Sequence, residues 1–256
     1  MRIGICRPIE EIKAVEGLGF DYIEPTVTGI VQMSSIEYKE ALKKIKDAGI
    51  GCETFNVLFP GDIRLIGPEA DLCKIRDYLK DAFERIAGLG AQIVVFGSGG
   101  ARRVPSDWVF EDGWKGLVEV AGLIGELALP YNITVAVEPL NKKETNIINS
   151  LAQGIKFVDE VRHPNVKLLA DFYHMRMEDE PMGVIGETTA DILVHTHIAQ
   201  GQTRTFPLDE SEDIYNDFFT NLGDIGYGGR VSIEAGTKDI NKEGPASLAL
   251  LKRLTS

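Results

Sequence analysis

Short runs of apolar residues, many of them β-branched, alternate along the whole chain with longer amphipathic stretches. Such runs are typical of buried parallel strands, and the stretches between them are typical of helices that cross back over a sheet. Eight runs predict strands: Arg2 to Cys6, Tyr22 to Pro25, Cys52 to Leu58, Gln92 to Ser98, Thr134 to Pro139, Val166 to Phe172, Ile192 to Ala199 and Val231 to Ala235. Eight parallel strands, each followed by a helix, are what a (β/α)8 barrel requires.

Glycines mark where the clearest predicted helices end. Apolar residues recur at three- and four-residue spacing from Ser34 to Ala48 and from Glu69 to Leu89, and Gly49 and Gly90 follow these stretches. The alternative architecture is an open doubly wound sheet, but no glycine-rich phosphate loop follows the first strand. We therefore predict the α/β class with a single (β/α)8 TIM barrel, one domain over residues 1–256.

Composition and net charge indicate which kinds of molecule the protein can bind. The 256 residues are 44% hydrophobic and 26% charged, an ordinary globular balance. A net charge of -12 would repel nucleic acid, whose binding depends on Lys and Arg, so neutral small molecules fit better as binding partners.

The cysteines indicate the cellular compartment. Cys6, Cys52 and Cys73 are few and unevenly spaced, which favours a reducing compartment. Since no stretch resembles a signal peptide or a membrane span, the sequence predicts a soluble cytoplasmic protein without a membrane partner.

Four residues with acid–base or metal-binding chemistry stand at the ends of predicted strands. Glu138 follows VAV, Asp171 ends VKLLAD, His197 lies in HTH and Glu234 follows VSI. Active sites of (β/α)8 barrels form where the strands end, at their C-terminal side. We therefore expect these four side chains to converge.

Convergence of three carboxylates calls for a cation. Buried carboxylates repel one another and are unfavourable without a counter-charge. Three carboxylates and one imidazole favour a single Mn2+ ion, with Mg2+ or Co2+ as alternatives, over structural zinc, which usually recruits thiolates. The competing interpretation is that each acid caps the following helix or pairs with a nearby base. His195, on the same strand face as His197, is expected either as a buried supporting histidine or as a direct ligand.

Four short motifs carry a family resemblance. They are EPLN with a later glutamate (Glu138 to Glu144), DFYHM (Asp171 to Met175), HTHIA (His195 to Ala199) and SIEA. With them the chain resembles, over essentially its whole length, the xylose isomerase-like TIM-barrel sugar isomerase/epimerase superfamily, in particular its D-tagatose 3-epimerase and 3-ketoglycoside epimerase branch. The resemblance implies the same four metal ligands that the strand ends predict.

The resemblance also implies roles for individual residues. Glu138 and Glu234 match the family's acid/base pair, and three further residues match substrate-binding positions: Glu144, His174 and Arg204. The spacing from the HTHI strand to the arginine is one residue longer here than the commonest form in the family.

Residues and resemblance together predict an isomerase, namely a divalent-metal-dependent epimerase or isomerase of a keto-sugar or ketoglycoside. The reaction would begin with proton abstraction beside a carbonyl and pass through a metal-stabilised enediolate. Its partner would be a small carbohydrate, and homo-oligomer formation is compatible with the resemblance. The alternatives are a dehydratase or lyase of the same fold acting on a keto-polyol or 3-ketoglycoside, and a non-catalytic carbohydrate-binding protein. With only four histidines and an acidic chain, an abasic-site endonuclease is disfavoured.

One segment departs from the family. After the fourth strand, ketose 3-epimerases carry a tryptophan-containing segment that walls the sugar pocket, whereas this chain reads VVFGSGGARRVPSDW. The glycine-rich turn would admit a larger or differently shaped substrate. Arg102 or Arg103 would either face an anionic group or be a solvated loop charge.

Overall fold

Eight parallel strands form one sheet in the computed structural model, which describes residues 1–255. The strands are β1 (Arg2–Cys6), β2 (Tyr22–Glu24), β3 (Thr54–Phe55), β4 (Ile93–Phe96), β5 (Thr134–Val137), β6 (Val166–Asp171), β7 (Leu193–Ile198) and β8 (Arg230–Ile233). Their order is β2-β1-β8-β7-β6-β5-β4-β3. Hydrogen bonds from Ile23 N to Gly51 O and from Asn56 N to Pro25 O join β2 to the β3 segment. The sheet therefore closes, and the predicted (β/α)8 TIM barrel is confirmed.

Each strand lies where the apolar runs predict one, although most are shorter. The largest difference is β3, which was predicted from Cys52 to Leu58 and retains two residues. Val57 has a φ of 49°, in the left-handed region that interrupts an extended backbone. The strand pairing therefore ends before the apolar run does.

Nine α-helices surround the barrel in the described residues. They are α1 (Ile12–Gly17), α2 (Val27–Gln32), α3 (Ser35–Lys46), α4 (Leu72–Gly88), α5 (Phe110–Ala128), α6 (Leu151–Val161), α7 (Phe172–Met177), α8 (Tyr215–Asp224) and α9 (Ile240–Leu254). Ser34 and Glu37 form a capping box at the start of α3, and Asp71 caps α4. Gly90, with a φ of 100°, follows the end of α4 as its position predicts. In the described part of the chain, no helix is both long and apolar enough to cross a membrane.

The barrel interior is filled by side chains from alternate strand positions. Ile93, Val95, Ala136 and Leu169 form one cluster inside the barrel, separate from the large core between strands and helices. Gly4 lies so close to the buried Tyr22 ring that a Cβ at this position would stand 2.2 Å from it. Strand β1 therefore needs glycine here, because the tyrosine occupies the space.

Candidate metal centre and active site

The four residues predicted at strand ends do converge. Glu138 directly follows β5, Asp171 ends β6, His197 lies near the end of β7 and Glu234 directly follows β8. One ligand atom from each lies within 4.8 Å of all the others. The Nδ1 atom of His197 lies 3.2 Å from a Glu138 oxygen, 3.8 Å from an Asp171 oxygen and 3.9 Å from a Glu234 oxygen. Four consecutive strands thus bring one imidazole nitrogen and three carboxylates together.

The cluster holds more negative charge than its surroundings neutralise. Burial raises the pKa of Glu234, and the charges of Glu138 and Asp171 raise it further, to about 7, although His197 and Arg204 act in the opposite direction. Burial would lower the pKa of His197, but the charges of Glu24 and Glu234 outweigh it, so that this pKa stands well above its usual value. In the metal-free protein the cluster therefore retains protons that an ordinary carboxylate and imidazole would lose at neutral pH.

A small divalent cation fits this set of donors. Ligands about 2.1 Å from such an ion lie about 3 to 4 Å from one another, which is the spacing between His197 Nδ1 and the carboxylates. Oxygen and imidazole donors suit Mn2+, Mg2+ or Co2+, and the Cys6 thiol groups with Glu24 and His197, outside the four-residue cluster. A bound cation would replace these protons as the source of positive charge in the cluster.

Arg204 and Glu144, two of the predicted substrate-binding residues, lie beside the cluster. The Arg204 guanidinium donates to Glu144 Oε1 at 2.8 Å and to Glu234 Oε2 at 2.6 Å, and it lies 4.9 Å from the centre of the Tyr173 ring. Burial would lower the pKa of Arg204, but the charges of Glu234 and Asp171 outweigh it and raise it. Despite the unusual spacing of the arginine, its guanidinium reaches one of the predicted ligands.

His174, the third predicted substrate-binding residue, has one ring nitrogen bonded and one free. Its Nδ1 accepts hydrogen bonds from the backbone N of Asn141 at 3.1 Å and from Asn141 Nδ2 at 2.8 Å. The proton of the neutral ring therefore lies on Nε2. Among the described residues this buried Nε2 has no hydrogen-bond partner. A buried donor of this kind is suited to a ligand oxygen.

Glu24, which ends β2 and is fully buried, was not among the residues predicted from the sequence. Its Oε1 accepts a hydrogen bond from His197 Nε2 at 2.9 Å, and its Oε2 accepts one from His195 Nε2 at 2.9 Å. His195 is therefore the supporting histidine of the two options left open, and it lies outside the four-residue cluster. The strand-end rule that selected Glu138 and Glu234 would also have selected Glu24, since it too ends an apolar run.

Neither expectation for Arg102 is correct. The side chain is fully buried, and it donates to Phe96 O at 2.9 Å and to Glu138 O at 2.7 Å. Burial lowers its pKa to about 10, which leaves the guanidinium charged at neutral pH. The neighbouring Arg103 is exposed and donates to Glu144 O at 2.8 Å. Both arginines thus hold the backbone around the site.

A cavity of about 240 Å³ opens beside the cluster at the ends of β1 and β2. Its lining includes Cys6, Ile9, Glu24, Thr26, Ile30, Met33 and Asn56. The side-chain amide of Asn56 also donates to Glu234 Oε1 at 3.3 Å, so the cavity and the cluster share a wall. This mixed apolar and polar lining is typical of sites for small molecules.

The proteins that this chain resembles in sequence and in structure include several epimerases. A D-psicose 3-epimerase of Agrobacterium fabrum is 29% identical over 238 residues, which cover 87% of this chain and 77% of that enzyme. A 3-dehydro-D-guloside 4-epimerase of Escherichia coli is 25% identical over 205 residues, covering 75% and 73%. A crystal structure of a D-psicose 3-epimerase in the presence of D-fructose matches the fold with a TM-score of 0.89, at 22% identity and with 100% and 99% coverage.

These relatives are named as epimerases, which are isomerases, and the predicted enzyme class is confirmed. A family model described as the xylose isomerase-like TIM barrel matches residues 12–254. Because that match spans almost the whole chain, the protein belongs to the xylose isomerase-like TIM barrel family.

Proposed function

We propose that this protein is a divalent-metal-dependent epimerase or isomerase of a keto-sugar or ketoglycoside. The observation that carries the proposal is the convergence of three carboxylates and His197 Nδ1 within 4.8 Å of one another at the mouth of the barrel. The names of the relatives, which include a D-psicose 3-epimerase and a 3-dehydro-D-guloside 4-epimerase, support this class of substrate. The domain extent 1–256, a cytoplasmic location and homo-oligomer formation stay predictions.

In this proposal one cation, preferably Mn2+ and otherwise Mg2+ or Co2+, is held by Glu138, Asp171, His197 and Glu234. Such an ion would supply Lewis acidity, which would stabilise the negative charge that develops on a substrate carbonyl oxygen. The side chain of Asp171 also accepts a hydrogen bond from the backbone N of His174 at 2.9 Å at the start of α7. This bond fixes the direction of the aspartate.

Glu138 and Glu234 would move the proton. One glutamate removes the proton beside the carbonyl and the other returns it, either to the opposite face of the same carbon or to the neighbouring carbon. The first outcome is epimerisation and the second is isomerisation between aldose and ketose.

Three residues would orient the sugar. The Nε2–H of His174 has no partner within the described residues and would donate to a substrate oxygen. Arg204 would donate to a second oxygen and Glu144 would accept from a hydroxyl, once the ion pair between them yields to the substrate. Fixing the substrate in this way lowers the entropic part of the barrier.

The test is solvent deuterium uptake into keto-sugars and 3-ketoglycosides with Mn2+ present, followed by NMR. The wild-type protein should exchange one carbon-bound hydrogen of at least one substrate. Glu138→Gln should reduce this exchange about 10²–10⁴-fold, which is what a general base contributes. The exposed Glu40→Gln is the matched control and should leave exchange unchanged. Undiminished exchange in Glu138→Gln would refute the role of Glu138, and full activity after chelator treatment would refute the metal.

A further inference from the structure

Glu24 is the centre of a hydrogen-bond network beneath the proposed metal site. Its carboxylate is fully buried on β2 and accepts four side-chain hydrogen bonds. Oε1 accepts from His197 Nε2, while Oε2 accepts from three groups: His195 Nε2 at 2.9 Å, Thr54 Oγ1 at 2.8 Å and Ser232 Oγ. The donors come from β3, β7 and β8, so the network spans the barrel interior.

The network is built to keep this carboxylate ionised. An isolated buried carboxylate would take up a proton, because the charged form loses its hydration. Here four side-chain donors face the carboxylate and take the place of that hydration. The Tyr22 hydroxyl extends the network through a 2.7 Å hydrogen bond to Ser232.

The two nitrogens of His197 face different groups. Nε2 lies 2.9 Å from Glu24, and Nδ1 lies among Glu138, Asp171 and Glu234. A neutral imidazole carries one proton, and an ionised carboxylate can only accept, so the proton must lie on the nitrogen that faces Glu24. That assignment leaves the Nδ1 lone pair directed at the carboxylate cluster.

We propose that Glu24 is a positioning residue, which holds His197 in the tautomer and ring orientation that present Nδ1 to the cation. The inference rests on the proposed metal site and extends it to a residue that does not itself ligate. A carboxylate behind a ligating histidine makes the histidine a better donor, and loss of such a partner typically lowers metal affinity by 10–100-fold.

The test measures Mn2+ affinity directly, as free Mn2+ detected by electron paramagnetic resonance during titration of the metal-free protein. Glu24→Gln keeps the shape of the side chain and removes its charge, and we expect an affinity about 10–100-fold below that of the wild type. Thr54→Val is the matched control, because it removes one donor to Glu24 Oε2 and leaves the hydrogen bond between Glu24 Oε1 and His197 in place. Its affinity should stay within about threefold of the wild type, well short of the loss expected for a missing histidine partner.

A second readout separates positioning from general packing. In the Zn2+-loaded wild type, the Nε2 proton of His197 should exchange slowly with solvent in proton–nitrogen NMR spectra, and Glu24→Gln should accelerate that exchange. Should Glu24→Gln fail to fold, Glu24→Asp decides. It keeps the charge but moves it one methylene away from His197. Its Mn2+ affinity should therefore be lower than that of the wild type and of Thr54→Val, but by less than about tenfold.

The outcomes distinguish the two proposals. Unchanged Mn2+ affinity in Glu24→Gln, or in Glu24→Asp if only that variant folds, overturns the role of Glu24 and leaves the proposed function standing. Absence of Mn2+ binding by the wild type overturns the metal site itself. A lower thermal stability of metal-free Glu24→Gln with unchanged affinity would assign Glu24 to the fold alone and also overturns the inference.

Discussion

Gly97 is the residue whose enlargement would disturb the proposed ligands most directly. A Cβ at this position would lie 2.1 Å from Glu138 Oε2, closer than any van der Waals contact allows. We expect Gly97→Ala to displace that carboxylate and to weaken Mn2+ binding about tenfold or more, which is about 1.4 kcal/mol. Gly100→Ala, in the same turn, is the control because its Cβ would meet nothing closer than 3.8 Å. Equal Mn2+ affinities of the two variants would contradict this reading of Gly97.

The protonation of two ligands predicts how Mn2+ binding depends on pH. In the metal-free protein the pKa of Glu234 is raised to about 7 and that of His197 is raised well above its usual value, so both carry protons in mildly acidic solution. The cation binds only the deprotonated forms, and binding must release those protons. Affinity should therefore rise with pH and fall, by about tenfold to a hundredfold per pH unit, as the pH drops below about 7.

Calorimetry in two buffers of different ionisation heat counts the released protons. We expect about one to two protons per Mn2+ near pH 6.5. An affinity that stays constant from about pH 6 to about pH 8 would show that the ligands are already deprotonated.

At this scale the sequence predicted that the four proposed ligands converge, but it did not predict the groups that support them. Glu138, Asp171 and Glu234 were found because the end of a parallel strand fixes where a side chain lies. The tautomer of His197 could not be found, since it depends on Glu24, which is 173 residues away in the chain. The burial of Arg102 was also missed, because most arginines in loops are solvated and only the folded turn shows the two carbonyls that it satisfies.

Between elements, Arg102 joins the ends of β4 and β5. Its two hydrogen bonds reach the carbonyl of the last residue of β4 and that of Glu138, directly after β5. Arg102→Met would leave the carbonyl of Glu138 without the Arg102 donor, whereas Phe96 O keeps its hydrogen bond from the backbone N of Glu138 at 3.2 Å. One unsatisfied buried carbonyl costs about 1–3 kcal/mol, so the free energy of unfolding should fall by about that amount. Urea titration followed by circular dichroism measures the change.

Arg103→Met provides the comparison for that measurement. Arg103 is exposed and makes a single hydrogen bond to the backbone of Glu144. We expect a change of less than about 1 kcal/mol, as is usual for surface substitutions. A similar loss in both variants would mean that the turn as a whole, and not the buried guanidinium, stabilises the strand ends.

Element positions were predicted more reliably than element lengths. The run TVAV predicts a strand through its β-branched residues, and the apolar spacing from Ser34 to Ala48 predicts a helix. Both elements appear where predicted. The end of β3 depends on the left-handed backbone at Val57, a β-branched residue that local preference would keep extended. The residue type at this position therefore does not predict where the strand ends.

For the whole molecule, a cation that binds only the folded state must also stabilise it. Mn2+ at about 100 times its dissociation constant should add about 2.7 kcal/mol to the free energy of unfolding. For a chain of this length that corresponds to a rise in Tm of about 5–10 °C. Scanning calorimetry with and without Mn2+ checks the rise.

Two variants show whether the stabilisation comes from the proposed site. Asp171→Asn should lose most of the Mn2+-dependent rise in Tm, because it removes a ligand charge at the centre of the cluster. The exposed Glu40→Gln should keep the full rise. An equal rise in Asp171→Asn would place the stabilising ion elsewhere on this acidic protein.

The barrel is paired unevenly around its circumference, because the sheet closes between β2 and β3 through isolated bridges. Strands β5 to β8 pair continuously and carry Glu138, Asp171, His197 and Glu234, whereas β2 and β3 meet only through isolated bridges. Thermal opening should begin at the weakly paired side, and the cavity beside the cluster lies there, with Thr26 and Asn56 in its lining. We therefore expect the proposed substrates to enter beside Thr26 and Asn56, while the strands that carry the four proposed ligands keep their positions.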